Sequence, residues 1–379
     1  MLLGNLKNAV RQTKAAIANI PGFRTNRKII VFESDDWGTL RMRDKDAFKL
    51  LLTKGYPVDK CPYNRLDRLE NNTDITMLAE TLLKHRDSRG NPAKFTLNYI
   101  SANPDFEKIR AADFTSFHFE PFLTTLKRYS DADKVEALVK EGIHNLVFQP
   151  QFHGREHVNV PLWLSRLQAK EKRFLDAFQQ GMFTVAGNEV VSGRKDNLDT
   201  YGHVKTDTSL YDLEQSIREG QIIFCSTWGF HATTFIAPCY VWHPNLEPFL
   251  LKHGVKGIQG THVQCVPLSS GFAIKRKYHF TGQKNTLGQT YLVRNVSFEP
   301  AERPQADQVD RVLKSIQNAF FWGKPAIISS HRLNFIGSLH KENREKNIEK
   351  LDMLLSQIRK RWPEVEFMSS DQLLSTISA

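Results

Sequence analysis

Short apolar runs and stretches with helical periodicity alternate along most of the chain. Residues 29–32 form an apolar run rich in β-branched side chains, which is typical of a buried strand. Comparable runs, each a predicted strand, recur at 93–100, 145–149, 234–237, 255–258, 326–330 and 365–368. Apolar residues recur at helical spacing, which predicts helices, at 44–54, 74–86, 162–182, 308–322, 342–361 and 370–378. This alternation predicts an α/β domain built on a mainly parallel sheet.

Some segments depart from the alternation. Residues 184–207 are polar and contain three glycines, and we predict that they form an excursion from the core. A helix is predicted at 211–220, where Gly220 ends it. Residues 272–280 and 289–298 have the pattern of longer β segments, and we predict that they pair as a hairpin, a β insertion spanning 272–298.

The domain organisation predicted from the sequence is simple. Residues 1–27 are expected to contain an amphipathic helix that packs on the rest of the protein. Residues 28–379 are expected to form one α/β domain, since no low-complexity linker or internal repeat divides them.

Composition and charge narrow the classes of partner. Hydrophobic residues make up 40% and charged residues 25% of the 379 residues, which is ordinary globular usage. The formal net charge of +11 favours anionic partners, but the cations are dispersed and form no recognisable nucleic-acid module. Four scattered cysteines predict neither a disulfide framework nor a zinc ribbon. No apolar run approaches a membrane span and no secretory signal is evident, so we expect a cytoplasmic protein.

Polar residues that could take part in catalysis or bind a metal follow several of the predicted strands. If the parallel sheet closes into a barrel, the ends of its strands meet on one rim. The residues expected to share that rim form four clusters, which are Glu33-Ser34-Asp35-Asp36, His153 with His157, Pro238-Cys239-Tyr240, and Ser330-His331.

Together these clusters contain the groups needed to hydrolyse an amide or an ester. One carboxylate and two histidines suit a divalent metal with open positions, a second carboxylate suits a base, and a separate histidine suits an acid. Neighbouring residues of a strand point to opposite faces, so Asp35 and Asp36 can share a site only if the chain bends, as Trp37-Gly38 suggests. Taken singly, the acidic cluster also fits a solvated strand end, and His331 also fits a histidine bonded to backbone.

As an ordered set, these motifs resemble those of the polysaccharide deacetylase superfamily, the carbohydrate esterases that include chitin-type and peptidoglycan-type N-deacetylases. The paired Asp35-Asp36 matches the first motif, His153 and His157 match the second, and His331 after an apolar strand matches the last. The resemblance implies a distorted (β/α) barrel. It implies that Asp35 is the base, that Asp36, His153 and His157 bind a divalent metal, with zinc expected, and that His331 is the acid.

The sequence departs from the family pattern at the third motif, which is Arg-x-Pro followed by an aromatic residue. Aligned on Pro238, this chain has Ile236 at the arginine position and Cys239 at the aromatic one. It also has no clear match to the aspartate of the fourth motif. Four other arginines are candidates to orient the base in place of the missing one, namely Arg41, Arg155, Arg294 and Arg332.

The function that we predict from the sequence is metal-dependent removal of an N- or O-acetyl group from a sugar or glycan precursor. Substrate contacts are expected from Trp37, Pro238, Tyr240 and Trp242, because aromatic residues stack on sugar rings. Two alternatives stay open at this point. The first is a non-catalytic glycan-binding protein, suggested by the missing third-motif arginine and by Trp37, Tyr240, Trp242 and Trp228. The second is a barrel glycoside hydrolase that uses Asp35 with a second carboxylate.

Overall fold

The structure, a computed structural model, describes residues 20–185, 190–191, 194–195, 199–202, 207–268, 273–302 and 307–379. The helix predicted near the N-terminus and much of the predicted 184–207 excursion lie outside these residues. No described helix has both the length and the apolar content needed to cross a bilayer.

The protein is organised around one parallel sheet, as the alternation of strands and helices predicts. The strands are β1 (Ile29–Trp37), β2 (Phe95–Ile100), β3 (Ala102–Pro104), β4 (Phe119–Pro121), β5 (Phe148–Gly154), β6 (Val190–Val191), β7 (Arg194–Lys195), β8 (Thr234–Ile236), β9 (Gly257–Gly260), β10 (Val263–Pro267), β11 (Ile274–Tyr278), β12 (Thr290–Val293), β13 (Val296–Ser297), β14 (Ala326–His331) and β15 (Glu366–Met368). The main sheet has the order β12-β9-β8-β5-β2-β1-β14-β13, and β15 pairs with the start of β1.

The two edges of this sheet are consecutive in the chain, because only Arg294 and Asn295 separate β12 from β13. The amide of Arg294 donates to the carbonyl of Gly260 at the end of β9 (2.8 Å), and the amide of Asn295 donates to Ile327 in β14 (3.1 Å). The segment from β12 to β13 thus hydrogen-bonds to both β9 and β14, and this connection curls the sheet into a distorted barrel. The predicted fold class is confirmed. Arg294 lies at the point where the chain stops pairing with β9 at one edge of the sheet and starts pairing with β14 at the other.

Helices follow most of the barrel strands and cover the sheet. They are α1 (Lys45–Thr53), α2 (Pro62–Leu66), α3 (Asn72–Leu83), α4 (Phe106–Ala111), α5 (Phe122–Leu126), α6 (Val135–His144), α7 (Val160–Gln168), α8 (Lys172–Gln179), α9 (Asp207–Trp228), α10 (Glu247–Lys252), α11 (Gln308–Phe321), α12 (Lys341–Arg361) and α13 (Ser370–Ser378), with short 3-10 turns at Pro238–Tyr240, Pro244–Leu246 and Arg332–Phe335. The largest apolar cluster lies between the sheet and most of these helices, while α1, α2 and α13 contribute to three smaller clusters.

The predicted pairing of 272–280 with 289–298 is wrong. Strand β11 pairs antiparallel with β10 instead, and β12 joins the barrel beside β9. Burial explains the difference. The side chains of β12 are all buried, whereas four of the five residues of β11 are exposed and supply no apolar face for the core.

Two further boundaries differ from the prediction. Helix α9 continues through Gly220, because this glycine serves a close approach to β5 rather than a helix end. A Cβ at Gly220 would lie 2.7 Å from the Phe152 ring. Strand β5 extends to Gly154, so His153 lies within the strand and only His157 lies on the following loop.

Candidate metal centre and active site

The end of β1 is shaped by an unusual backbone at Asp36. The register of β1 against β2 shifts between Ser34 and Trp37, and Asp36 has a φ of 72°. This left-handed conformation is one that aspartate tolerates better than most residues, at a cost of roughly 1–3 kcal/mol. The bend expected at Trp37-Gly38 therefore begins one residue earlier, and it lets two adjacent aspartates reach the same region.

Asp36, His153 and His157 come together in the interior. The Oδ1 atom of Asp36 lies 3.1 Å from Nε2 of His157 and 3.4 Å from Nε2 of His153. One ligand atom from each residue lies within 4.8 Å of the others, and all three residues are buried. The Nδ1 atom of His153 lies 2.9 Å from the Ile236 carbonyl, to which it donates, so Nε2 is the nitrogen that faces Asp36. This donor set fits a divalent metal ion.

Arg41 fixes the orientation of the Asp36 carboxylate. Its Nη2 donates to Oδ2 of Asp36 at 2.9 Å and lies 3.3 Å from Nε2 of His157. The guanidinium lies over the rings of Tyr63 and Phe183, at 5.5 and 5.6 Å from their centroids. Because Oδ2 is held by Arg41, Oδ1 is the oxygen left facing both histidines.

The charges around this group favour the ionisation states that a metal requires. Burial would raise the pKa of Asp36, but Arg41 and the two histidines hold that pKa well below its usual range. Burial and the nearby Arg41 charge lower the pKa of His157 to about 4. A carboxylate and a neutral imidazole are therefore present at neutral pH.

Asp35 is held by Arg294, which settles which of the candidate arginines contacts the predicted base. Nη1 and Nη2 of Arg294 donate to the two oxygens of Asp35, each at 2.7 Å, and Nε donates to Glu33 at 2.6 Å. Asn98 also donates to Oδ1 of Asp35 at 2.8 Å. Burial would raise the pKa of Asp35, but Arg294 keeps it below its usual range. Asp35 is thus an ionised carboxylate in a buried site.

Two of the other candidate arginines serve different parts of the fold. Arg155 forms an ion pair with Glu156 beside α9. Arg332 is fully buried and pairs with Asp67 and Glu70 at 3.0 and 2.9 Å, beneath the loop that follows β1. Neither is recorded in contact with Asp35.

His331 lies on the other side of Asp35. Its Nε2 is 3.9 Å from Oδ2 of Asp35, and its Nδ1 is 2.8 Å from Oε1 of Glu299. Asn334 donates to the second oxygen of Glu299 at 2.8 Å. Although burial lowers the pKa of His331, the charge and hydrogen bond of Glu299 raise it well above its usual value. His331 is therefore protonated at neutral pH.

Glu299 belongs to none of the four polar clusters predicted to share the rim. The signal that could have found it is a polar side chain close to the end of a strand, since Glu299 is the second residue after β13. The signal for Arg294 is a charged residue inside an apolar β segment, residues 290–298. An isolated charge in such a segment needs a buried partner.

The four residues predicted to contact the substrate differ in their burial and in their distance from the site. Trp37 and Trp242 are 0% and 1% exposed, and their indole N–H groups donate to Ser34 and Glu247, so both belong to the core and cannot stack on a sugar. Pro238 is also buried. Tyr240 is half-buried, and its hydroxyl accepts from Arg294 at 3.2 Å. Of the four, Tyr240 is the residue recorded in contact with the site.

No protein-family model matches this chain, and no curated protein matches it. Among solved structures the chain is similar to a 4-alpha-glucanotransferase from Thermococcus litoralis, with a TM-score of 0.46 and 11% identity over 93% of this chain and 40% of the other. It is similar to a probable polysaccharide deacetylase from Pseudomonas aeruginosa PAO1, with a TM-score of 0.45 and 8% identity over 92% of this chain and 91% of the other.

A third similar structure is a family 4 acetyl xylan esterase from Clostridium thermocellum, with a TM-score of 0.39 and 10% identity over 92% of this chain and 91% of the other. All three TM-scores lie below 0.5. In structure as in its ordered motifs, the chain resembles polysaccharide deacetylases and family 4 carbohydrate esterases at low sequence identity.

Proposed function

We propose that this protein is a divalent-metal-dependent hydrolase that removes an acyl group, most simply acetyl, from the nitrogen or oxygen of a sugar. The observation that carries the proposal is the meeting of three potential metal ligands, Asp36, His153 and His157, next to an ionised Asp35 and a protonated His331. A base and an acid beside a metal site are the groups that amide or ester hydrolysis requires.

In this proposal Asp36, His153 and His157 hold the metal. A metal bound there would supply Lewis-acid polarisation of the acyl carbonyl and a lower pKa for water. Asp35 takes a proton from the attacking water as the water oxygen bonds to the acyl carbon. Arg294 and Asn98 occupy three of the roughly four lone-pair positions of the Asp35 carboxylate, which leaves one for that proton.

His331 completes the reaction in this proposal. As the bond from the acyl carbon to the sugar nitrogen or oxygen breaks, His331 gives its Nε2 proton to the leaving atom. Glu299 orients the ring through Nδ1 and keeps it protonated beforehand. The products are a carboxylic acid and the free amino or hydroxyl sugar, and the proton gained by Asp35 balances the one lost by His331.

The finer assignments remain predictions. Zinc is the metal that we expect, because a carboxylate and two imidazoles suit it. A carbohydrate substrate follows from the resemblance of the ordered motifs to those of carbohydrate deacetylases.

The two alternatives raised by the sequence lose their supporting observations. A non-catalytic glycan-binding role was suggested by the missing arginine and by four aromatic residues, but Arg294 holds Asp35, and Trp37, Trp228 and Trp242 are buried. A glycosidase needs a second carboxyl group across the scissile bond. Glu33, the carboxylate that shares Arg294 with Asp35, is itself fully buried.

The test is an acetate-release assay on full-length protein with a panel of N- and O-acetylated mono- and disaccharides. We expect acetate release from at least one sugar, loss of release after chelation, and recovery on adding zinc or another divalent ion. Metal content measured on the purified protein provides a second readout. The absence of both bound metal and metal-dependent acetate release across the panel would refute the proposal.

Replacing Glu299 with glutamine is expected to move the alkaline limb of the pH–rate profile to lower pH. The Glu299 carboxylate raises the pKa of His331, so a neutral amide lets His331 lose its proton at a lower pH. A group with a raised pKa is protonated below that pKa and loses its proton as the pH rises through it. Glu302→Gln, which removes a nearby carboxylate that accepts from Tyr63, is the matched control and should shift the limb less.

A further inference from the structure

The hairpin formed by β10 and β11 carries a concentrated positive charge. Lys275, Arg276 and Lys277 are consecutive and exposed, and Tyr278 is 68% exposed. The residues opposite them across the hairpin are Val266, Cys265 and Gln264, none of which is charged. No ion pair recorded among the described residues involves the three cations. This charge is therefore available to a partner outside the protein.

The hairpin stands beside the candidate active site. Cys265, opposite Arg276, accepts from the amide of Trp242 at 3.2 Å and bridges to Val241. The preceding residue, Tyr240, contacts Arg294 of the site. Because paired strands lie about 4.8 Å apart, Arg276 lies about 10 Å from the chain at Val241. The cations therefore lie close to the rim that a bound substrate chain would follow.

The two faces of β11 differ in chemistry. Side chains alternate along a strand, so Arg276 and Tyr278 share one face and Lys275 and Lys277 share the other. An arginine next to an exposed tyrosine can pair with a carboxylate while the aromatic ring covers the apolar face of a sugar. That combination fits an acidic sugar better than a neutral one.

We propose that this cationic hairpin, residues 263–278 without the undescribed tip, binds the chain of an acidic polysaccharide and leads it to the active site. The inference rests on the proposed function, which makes the substrate a glycan. Position favours a glycan over nucleic acid, because the hairpin adjoins the rim of an acyl-hydrolase site. The net charge of +11 supports an anionic polymer.

The experiment measures binding of full-length protein to polygalacturonate in the presence of a chelator, so that no turnover is needed. The test variant is K275E/R276E/K277E. A second variant, K275Q/R276Q/K277Q, removes the positive charges without adding negative ones and is used if the charge reversal prevents folding. The matched control is R359E/K360E/R361E. These three exposed cations end α12, just before β15, at the opposite end of the barrel from the rim. Thermal unfolding of each variant checks that it is folded.

We expect the hairpin charge reversal to weaken polygalacturonate binding about tenfold, since it replaces three attractive charges with three repulsive ones. The control variant should bind like the wild type, a neutral dextran should not bind, and added salt should weaken binding. Tyr278→Ala should weaken binding about threefold.

Three results would overturn the inference: wild-type affinity in the hairpin variants, equal losses in hairpin and control variants, or tighter binding of a single-stranded oligonucleotide than of polygalacturonate. Failure of the hydrolase proposal is distinguishable, because a protein without acetate release would still bind the polymer through this hairpin. Conversely, acetate release with no polymer binding would remove only the docking role.

Discussion

Replacing Asp36 with asparagine is expected to abolish tight metal binding and to lower hydrolysis at least about a thousandfold. Asp36 is the one carboxylate of the candidate ligand group, and its Oδ1 faces both histidines. The amide keeps the shape of the side chain but removes the negative charge that a divalent ion requires. The change therefore tests the metal site without creating a cavity.

Metal binding can be followed without any substrate. An ion that binds only the folded protein stabilises it by about 2.7 kcal/mol at a hundred times its dissociation constant, so zinc should raise the melting temperature of the wild type. The Asp36→Asn variant should show little rise and little bound metal. Asp46→Asn, which removes an exposed acid at the start of α1, should respond to zinc like the wild type. An unchanged zinc response in Asp36→Asn would exclude this site as the metal centre.

Replacing Arg294 with glutamine is expected to cost about 3–5 kcal/mol of unfolding free energy. The Arg294 side chain is 1% exposed and lies between Glu33 and Asp35, so its loss leaves both buried carboxylates without their shared ion-pair partner. Asp35 then keeps only the more distant charge of His331, at 3.9 Å. The cost should be larger at pH 8 than at pH 5, because protonation of either carboxylate removes an unpaired charge. Denaturant unfolding at the two pH values measures this difference.

The same variant should lose hydrolysis, because Arg294 keeps the pKa of Asp35 low enough for it to act as a base at neutral pH. Arg344→Gln is the matched control. It removes a buried arginine that pairs with Asp74 at 2.7 Å, outside the site, so it should lower stability but leave the hydrolysis of folded protein intact. Equal effects of both variants on hydrolysis would show that Arg294 matters for folding alone.

The positions of Asp35, Asp36, His153, His157 and His331 could be anticipated because each depends on a local pattern. An apolar β-rich run followed by polar residues marks the end of a strand, and parallel strands in a closed sheet end on the same rim. The structure brings these five residues together as that rule predicts.

The missed features depend on contacts between distant segments. Arg294 is 259 residues from Asp35 in the chain, and its place inside an apolar β segment indicates that it needs a buried partner but not which one. Trp37 and Trp242 appear in the sequence as aromatics beside polar residues, but the packing of the barrel buries both. The partner of β11 was mispredicted because pairing follows from which strand can bury its side chains, a property of the whole sheet.

The sequence by itself determined the strand-and-helix alternation of a (β/α) barrel and the acidic and histidine residues that follow its strands. Those features are encoded by periodicity and by residue type within short windows. The tertiary structure alone decided that Arg294 binds Asp35, that Glu299 bonds to His331 and raises its pKa, and that a cationic hairpin lies beside the site. The physical reason is that burial, ion pairing and pKa depend on which side chains meet in space, and barrel closure brings together residues far apart in the chain.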